Sequence, residues 1–348
     1  MSKVSKERTR NYGIDLLRLV SMFFVVLLHA LLASGALSGA GNIYNAAWFL
    51  EVFAFGAVNI FGIISGYVGF REEKRSFKWK SFFSIWGQGI FYSAGVLAVV
   101  VLLGASNITK SDVITLLTPV FHNIYWYLTA YLLLMLMMPM LNAWVRELSK
   151  KQCARLVWVM LVLATLLSVK ELVPVSGGYS AIWLAVLYLI GAFMKKGEFL
   201  QALKKRWCAL GIVILALIVW AVKIWGGDIS GIPSVILRPF YVSYVSPLIL
   251  FSAILYVKMF SGISFKNRFV IKMIEWAAPC AFGVFLLNTH PLILWSYMPS
   301  WLSPVANMGQ IGGLLFVLLF AAVFFIVAIT IDKIRHSGFL LIKKMFKR

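Results

Sequence analysis

The sequence predicts an all-α integral membrane protein, a polytopic bundle of about ten transmembrane helices with both termini in the cytoplasm. Three observations lead there. Hydrophobic residues fill 61% of the 348 positions and charged residues only 13%, and the mean hydropathy is +0.90, values outside the range of soluble domains. Apolar runs of about twenty residues, the length that crosses a hydrocarbon core about 30 Å thick, recur along the whole chain. With the N-terminus inside, all of the 33 lysines and arginines except Lys110, Lys170, Lys223 and Arg238 fall in cytoplasmic segments, which is the bias that orients membrane helices.

The runs lie at 14–33, 46–69, 81–104, 124–143, 156–173, 179–194, 207–225, 237–259, 273–296 and 309–331. The run 179–194 is short and 156–173 weakly bounded, so a reading with eight or nine spans stays open. The basic clusters at 71–80, 146–155, 195–206 and 258–272 close alternate runs on the inner side. Between 105 and 123, the segment Ser111–Leu117 reads as a short interfacial helix on the outer side, and Gly226–Pro233 as a glycine-rich outer loop. Residues 338–348 interleave Phe339, Leu340, Leu341, Ile342, Met345 and Phe346 with four basic residues, a pattern suited to an amphipathic tail on the inner leaflet. The chain therefore reads as one membrane domain over 1–348 without soluble modules.

A formal net charge of +21 does not indicate nucleic-acid binding here, because it serves as a topology signal and attracts anionic membrane lipids. The basic start Lys3–Arg10 followed by an apolar run resembles a secretory signal. Asp15, Arg18 and His29 are foreign to such a run, so it is expected to be retained as the first span. Cys153, Cys208 and Cys280 show no disulfide framework, and no metal-ligand spacing is visible.

Charge inside the first span points to a site. His29 lies eleven positions after Arg18; at about 100° per residue they share one helix face, about 16 Å apart along the axis. Asp15 joins that face three residues before Arg18. An ionised group in hydrocarbon costs about 3 kcal/mol or more, so this stripe should face a protein interior or a watery cavity. The plain alternatives are a histidine satisfied by backbone and an arginine snorkelling to the inner surface. Other candidates are Glu51 at the outer end of the second run, the aromatic cluster Tyr125–Tyr127, and Ser65 with Gly66 in a tight turn or against a ligand. The basic loop with Arg71, Lys74 and Arg75 reads equally as a phosphate clamp and as a solvated face.

Four ordered patterns carry a resemblance. Arg10-Asn11-Tyr12-Gly13-Ile14-Asp15-Leu16-Leu17-Arg18 is followed after ten residues by His29; Val58 to Tyr67 is a Phe- and Ile-containing run ending Ser65-Gly66-Tyr67. Tyr125-Trp126-Tyr127-Leu128 opens a span that closes at Pro139-Met140-Leu141-Asn142, and Gly283-Val284-Phe285-Leu286-Leu287 lies in the ninth run. Together they resemble the membrane acyltransferase-3 family. Two departures stand out: where members often carry a histidine after the ninth-span run, this chain has Asn288, with His290 two residues on, and the paired arginines of the loop after span two are diluted by Glu72 and Glu73.

The resemblance implies a membrane enzyme that takes an acetyl group from cytoplasmic acetyl-CoA and delivers it to a hydroxyl of an extracytoplasmic or lipid-linked glycan, such as a capsule, exopolysaccharide or wall polymer, in the bacterial cytoplasmic membrane. Its chemistry needs a base for the hydroxyl proton, and histidine suits neutral pH. That role falls to His29, with Asp15 either assisting or orienting Arg18. Arg18, Ser65, Arg71, Lys74 and Arg75 would hold the donor, and Glu51, Tyr125, Trp126, Asn288 and His290 the acceptor. No metal is implied. The competing class is a transporter or flippase, which the span count would also suit but for which no inverted repeat is visible.

Overall fold

The structure, a computed structural model, describes residues 10–38, 43–73, 76–104, 108–170, 175–226 and 234–345. All regular structure among them is helical. The helices are α1 Tyr12–Ala33, α2 Tyr44–Phe55, α3 Ala57–Gly69, α4 Trp79–Leu102, α5 Lys110–Leu117, α6 Trp126–Glu147, α7 Lys150–Val169 and α8 Ala181–Gly197. They continue with α9 Lys205–Trp225, α10 Ser234–Leu237, α11 Pro247–Ser261, α12 Arg268–Ala277, α13 Ala281–Asn288, α14 Met298–Leu302 and α15 Gln310–Met345. Among the described residues, eight stretches are long and apolar enough to cross a membrane: Tyr12–Ala33, Tyr44–Gly69, Trp79–Leu102, Trp126–Glu147, Lys150–Val169, Lys205–Trp225, Arg268–Asn288 and Gln310–Leu341. The protein is thus an all-α polytopic membrane protein.

The run expected at 179–194 forms α8 with 17 residues, below the usual spanning length, and the run 237–259 forms the shorter α11 with 15. For α11 the cause is local. Pro239 sits in a 3-10 turn over Arg238–Phe240, and Pro247 takes the first turn of the helix, where its missing N–H leaves no bond unmade. Of the ten residues expected as helix before Pro247, Leu237 ends the short α10 and the other nine fold as the 3-10 turn and irregular turns. The run 273–296 is likewise interrupted, at a 3-10 turn Ala278–Cys280 containing Pro279 and again after Asn288, ahead of a π-helical segment Leu292–Tyr297. Proline removes one helix bond and clashes with the preceding turn. Irregular backbone at membrane depth is tolerated where it is packed in protein or lines a cavity. The last run extends well past 331, for α15 continues to Met345. The expected tail is its direct continuation as far as the described residues go, and the Phe339 ring meets Phe91 at 5.6 Å.

Small residues set the closest crossings. A Cβ built on Gly66 would lie 1.8 Å from the Tyr188 carbonyl oxygen, and one on Gly191 2.0 Å from that of Ile63. Backbones of α3 and α8 therefore touch, as small residues allow in membrane helices. Gly66 is accordingly not part of a turn, as its sequence context suggested, but a mid-helix crossing point. Gly13 plays the same part between α1 and the end of α11, where an added Cβ would lie 2.0 Å from the Phe260 oxygen. Two apolar cores result, one around α3, α6, α7, α8 and α11 and one around α1, α4, α13 and α15.

A buried ionic knot fastens α15 to the second core. Asp332 is 1% exposed; its Oδ1 accepts from Arg335 Nε at 2.7 Å, Tyr92 OH at 2.6 Å and Gln88 Nε2 at 3.2 Å. Removing the acid strands a part-buried guanidinium, and breaking a buried pair costs about 3 kcal/mol. Asp332→Ala is therefore expected to lower the thermal midpoint in detergent by several degrees more than Thr330→Ala on the exposed face two residues before it, measured by tryptophan fluorescence.

Candidate active site

One cavity of about 500 Å³ lies between the two cores, with walls from α1, α3, α4, α6 and α13. Arg18 and His29 both line it. Since α1 is an unbroken helix from Tyr12 to Ala33, the two groups stand about 16 Å apart along one wall. Between them the wall is Met22, Val25 and Leu28, faced by Val58, Phe61, Ile64 and Phe285. The cavity is thus a mainly apolar tube with a cation toward one end and an imidazole toward the other.

The Arg18 end is organised by Asp15. Its carboxylate is 5% exposed and is clamped from both sides, by Arg18 Nη1 at 2.6 Å and Arg10 Nε at 2.5 Å. Asp15 sits about 21 Å along the helix from His29, and its two oxygens are bonded to Arg10 and Arg18, which places it beside Arg18 and not beside the imidazole. Asn11 caps α1 by accepting from the Ile14 N–H, and Tyr12 OH donates to Glu275 Oε1 at 2.8 Å. Glu275 thereby ties the last turn of α12 to the start of α1. Ser65 lines the cavity with its hydroxyl donating to the Phe61 carbonyl at 2.8 Å, which leaves oxygen lone pairs for a ligand. Gln88 also lines the wall and connects it to the Asp332 knot.

The His29 end rests on Asn288. His29 Nδ1 is hydrogen-bonded to Asn288 Oδ1. With the amide oxygen turned to the ring, and Asn288 Nδ2 left without a partner among the described residues, Nδ1 is the donor and Nε2 keeps its lone pair. That tautomer is what a general base requires. Asn288 closes α13, and Thr289 beside it also lines the cavity.

The other expected residues separate into two groups. Trp126 lines the cavity. Tyr125, 1% exposed, points the other way, its ring 6.3 Å from both Phe285 and His290 inside the second core. His290 is fully buried; Nδ1 accepts from the Leu292 N–H at 3.2 Å and Nε2 donates to the Ser93 carbonyl at 3.3 Å. Both ring nitrogens are spent on backbone, so His290 pins the turn after α13 to α4, and it is not in the cavity wall. Arg71 follows α3 and is not in the cavity wall, while Lys74 and Arg75 lie outside the described residues. Glu51 is 8% exposed, with Oε2 unpartnered among the described residues. Among these residues no group of three or more His, Cys, Asp or Glu could hold a metal ion.

Sequence reasoning missed Gln88, Tyr131 and Tyr244, all in the wall. Tyr131 repeats the face of Tyr127 at i+4, and their rings stack at 6.0 Å, a periodicity visible in the sequence. Tyr244 gave no signal, because the turns that carry it lie in a stretch that reads as helix.

No curated protein and no solved structure matches the chain significantly. The family model for the acyltransferase 3 family, described as an acyltransferase domain, matches residues 11–333. That range begins at the residue capping α1 and ends beside the Asp332 knot, so it takes in the whole cavity. The chain belongs to the acyltransferase 3 family and is a membrane acyltransferase.

Proposed function

We propose that the protein is an O-acetyltransferase of the bacterial cytoplasmic membrane. It takes acetyl from cytoplasmic acetyl-CoA and gives it to a hydroxyl of an extracytoplasmic or lipid-linked glycan. The observation that carries this reading is that Arg18 and His29 share one cavity at a separation of about 16 Å along the axis. That span is of the order of an extended pantetheine arm. A CoA phosphate at Arg18, whose guanidinium is a suitable fork for it, then presents the thioester near His29, with apolar side chains along the arm. The positive-inside bias supports this polarity, with ten crossings if α8 and α11 also traverse and both chain ends cytoplasmic.

In this mechanism His29 Nε2 takes the proton of the acceptor hydroxyl as its oxygen attacks the thioester carbonyl. The C–S bond breaks, the acetyl ester forms, and the CoA sulfur leaves as thiolate, which takes up a proton. Asn288 holds the imidazole in the needed tautomer, and Asp15 holds Arg18. A carrier would have no use for the tautomer that Asn288 selects, which favours the enzyme over the transporter.

The test is release of free thiol from acetyl-CoA by protein in liposomes supplied with a cell-envelope polysaccharide extract. Wild type is expected to release it with acceptor present. Arg18→Gln is expected to raise the donor KM about tenfold or more, since a hydrogen bond to a charged group is worth about 1.5–3 kcal/mol. Absence of both acetyl-CoA binding and turnover in wild type would remove the donor assignment.

A further inference from the structure

The wall beside the His29 end contains a group of side chains that the donor path does not use. Trp126 and Tyr244 line the cavity. The Tyr179 ring lies 4.8 Å from Trp126 and 5.0 Å from Tyr244, and it is 52% exposed, so it forms the open edge of the group. Phe55 stacks on Tyr244 from behind at 4.6 Å. One turn earlier on that face of α2 is Glu51, with Oε2 buried and unpartnered among the described residues. Its charge is felt at both Tyr179 and Tyr244, while Glu51 itself is not among the residues lining the cavity. Lys223 stands over the Trp48 ring at 4.1 Å, and no ion pair joins it to Glu51 among the described residues.

The rings are held by specific devices. The Asn59 amide spans two elements: Nδ2 donates to the Tyr244 carbonyl at 2.8 Å and Oδ1 accepts from Trp183 Nε1 at 3.1 Å. Gly178 has φ of +101° and lies against Tyr244, where an added Cβ would come 2.5 Å from the tyrosine Cβ. The turn carrying Tyr244 is closed by Ser246 Oγ donating to the Pro239 carbonyl at 2.6 Å. A buried carboxyl oxygen without a partner costs about 1–3 kcal/mol, and an ordinary packing residue at that place would avoid the cost. A hydroxyl-rich ring suits the arrangement: its C–H face lies on aromatic rings, and its hydroxyls donate to the acid.

We infer that Trp126, Tyr179, Tyr244 and Glu51 form the acceptor subsite, which binds a pyranose ring by stacking and by hydroxyl donation to the Glu51 carboxyl. This rests on the acyltransferase reading above for the fate of the sugar, but the binding itself does not require it. Tyr179 is the entry platform, and Tyr244 and Trp126 lead the ring toward Tyr127 and His29. Asn59 is a positioning residue that acts through the Tyr244 backbone.

The test uses the full chain in nanodiscs and methyl pyranosides of glucose, galactose and N-acetylglucosamine as probes, with choline and sorbitol as contrasts. Binding is read by intrinsic tryptophan fluorescence and acyl transfer by thiol release. At least one pyranoside is expected to give a saturable change that sorbitol and choline do not. Its Kd, and the acceptor KM, should rise about tenfold in Tyr179→Ala and in Glu51→Gln, corresponding to about 1.4 kcal/mol each, with the donor KM unchanged. Tyr179 is half exposed and Glu51→Gln is isosteric, so both variants are expected to fold. Saturable binding equal in all three proteins, binding of choline in place of pyranosides, or no pyranoside binding by a protein that binds acetyl-CoA would each overturn the subsite while leaving the donor assignment in place. Pyranoside binding that both variants weaken, in a protein that never binds acetyl-CoA, would keep the subsite and remove the acyltransfer reading.

Discussion

His29→Ala is expected to lower acyl transfer by about 10²–10⁴-fold, the range for losing a general base, with acetyl-CoA binding retained. The expectation follows from the two ends of the cavity being separate. The cation proposed to bind the donor phosphate is Arg18, paired with Asp15, and nothing in that pairing touches the imidazole. Asn288→Ala is the more discriminating variant. It deletes the acceptor for Nδ1 and so releases the tautomer without removing the base, at about 1–3 kcal/mol for the stranded donor. A loss of about tenfold to a hundredfold in kcat with the donor KM unchanged is the predicted result. Purified variants in liposomes, assayed for thiol release and for equilibrium binding of labelled acetyl-CoA, measure both quantities. If His29→Ala turns over at the wild-type rate, the imidazole is a packing group and the base must be sought elsewhere in the wall.

The second large effect is structural. Gly66→Ala places a methyl group 1.8 Å from the Tyr188 carbonyl oxygen, and the obstacle is backbone, which cannot rotate away. Overpacking a well-filled core costs about 1–3 kcal/mol and sometimes more. Here it must separate α3 from α8, and with them Ser65 from the cavity. Loss of the monodisperse peak in size-exclusion chromatography, or a fall of about 4 °C or more in thermal midpoint, is expected. Gly95→Ala is the control, since nothing lies within 4 Å of its Cβ and alanine is the better helix former. Equal stability of Gly66→Ala and Gly95→Ala would show a looser crossing than the structure has.

Much of the site's longitudinal layout was legible in the sequence. Arg18 and His29 could be put on one face because helix periodicity is a local property, and charge in an apolar run has to point somewhere polar. Span positions followed from composition for the same reason. Where the reading failed, a neighbour supplied the missing term. The run 237–259 is apolar enough for a helix throughout, yet Pro239, Pro247 and the bond from Asn59 hold its first part as turns. His290 is as good a candidate as any histidine until its two nitrogens are found on the Ser93 carbonyl and the Leu292 N–H.

The sequence alone therefore determined that the chain is a helical membrane protein, that its first helix carries a cation and an imidazole in line, and which family it resembles. Each of these is set by residues near one another along the chain or by bulk composition. Only the tertiary structure decided that Asn288 and not His290 meets His29, that Asp15 serves Arg18 from between two arginines, and that Glu51 shares a corner with Tyr179 and Tyr244. Those relations join residues up to 259 positions apart. They depend on which glycine lets two helices touch and on where a proline ends one, and no spacing within a single helix encodes them.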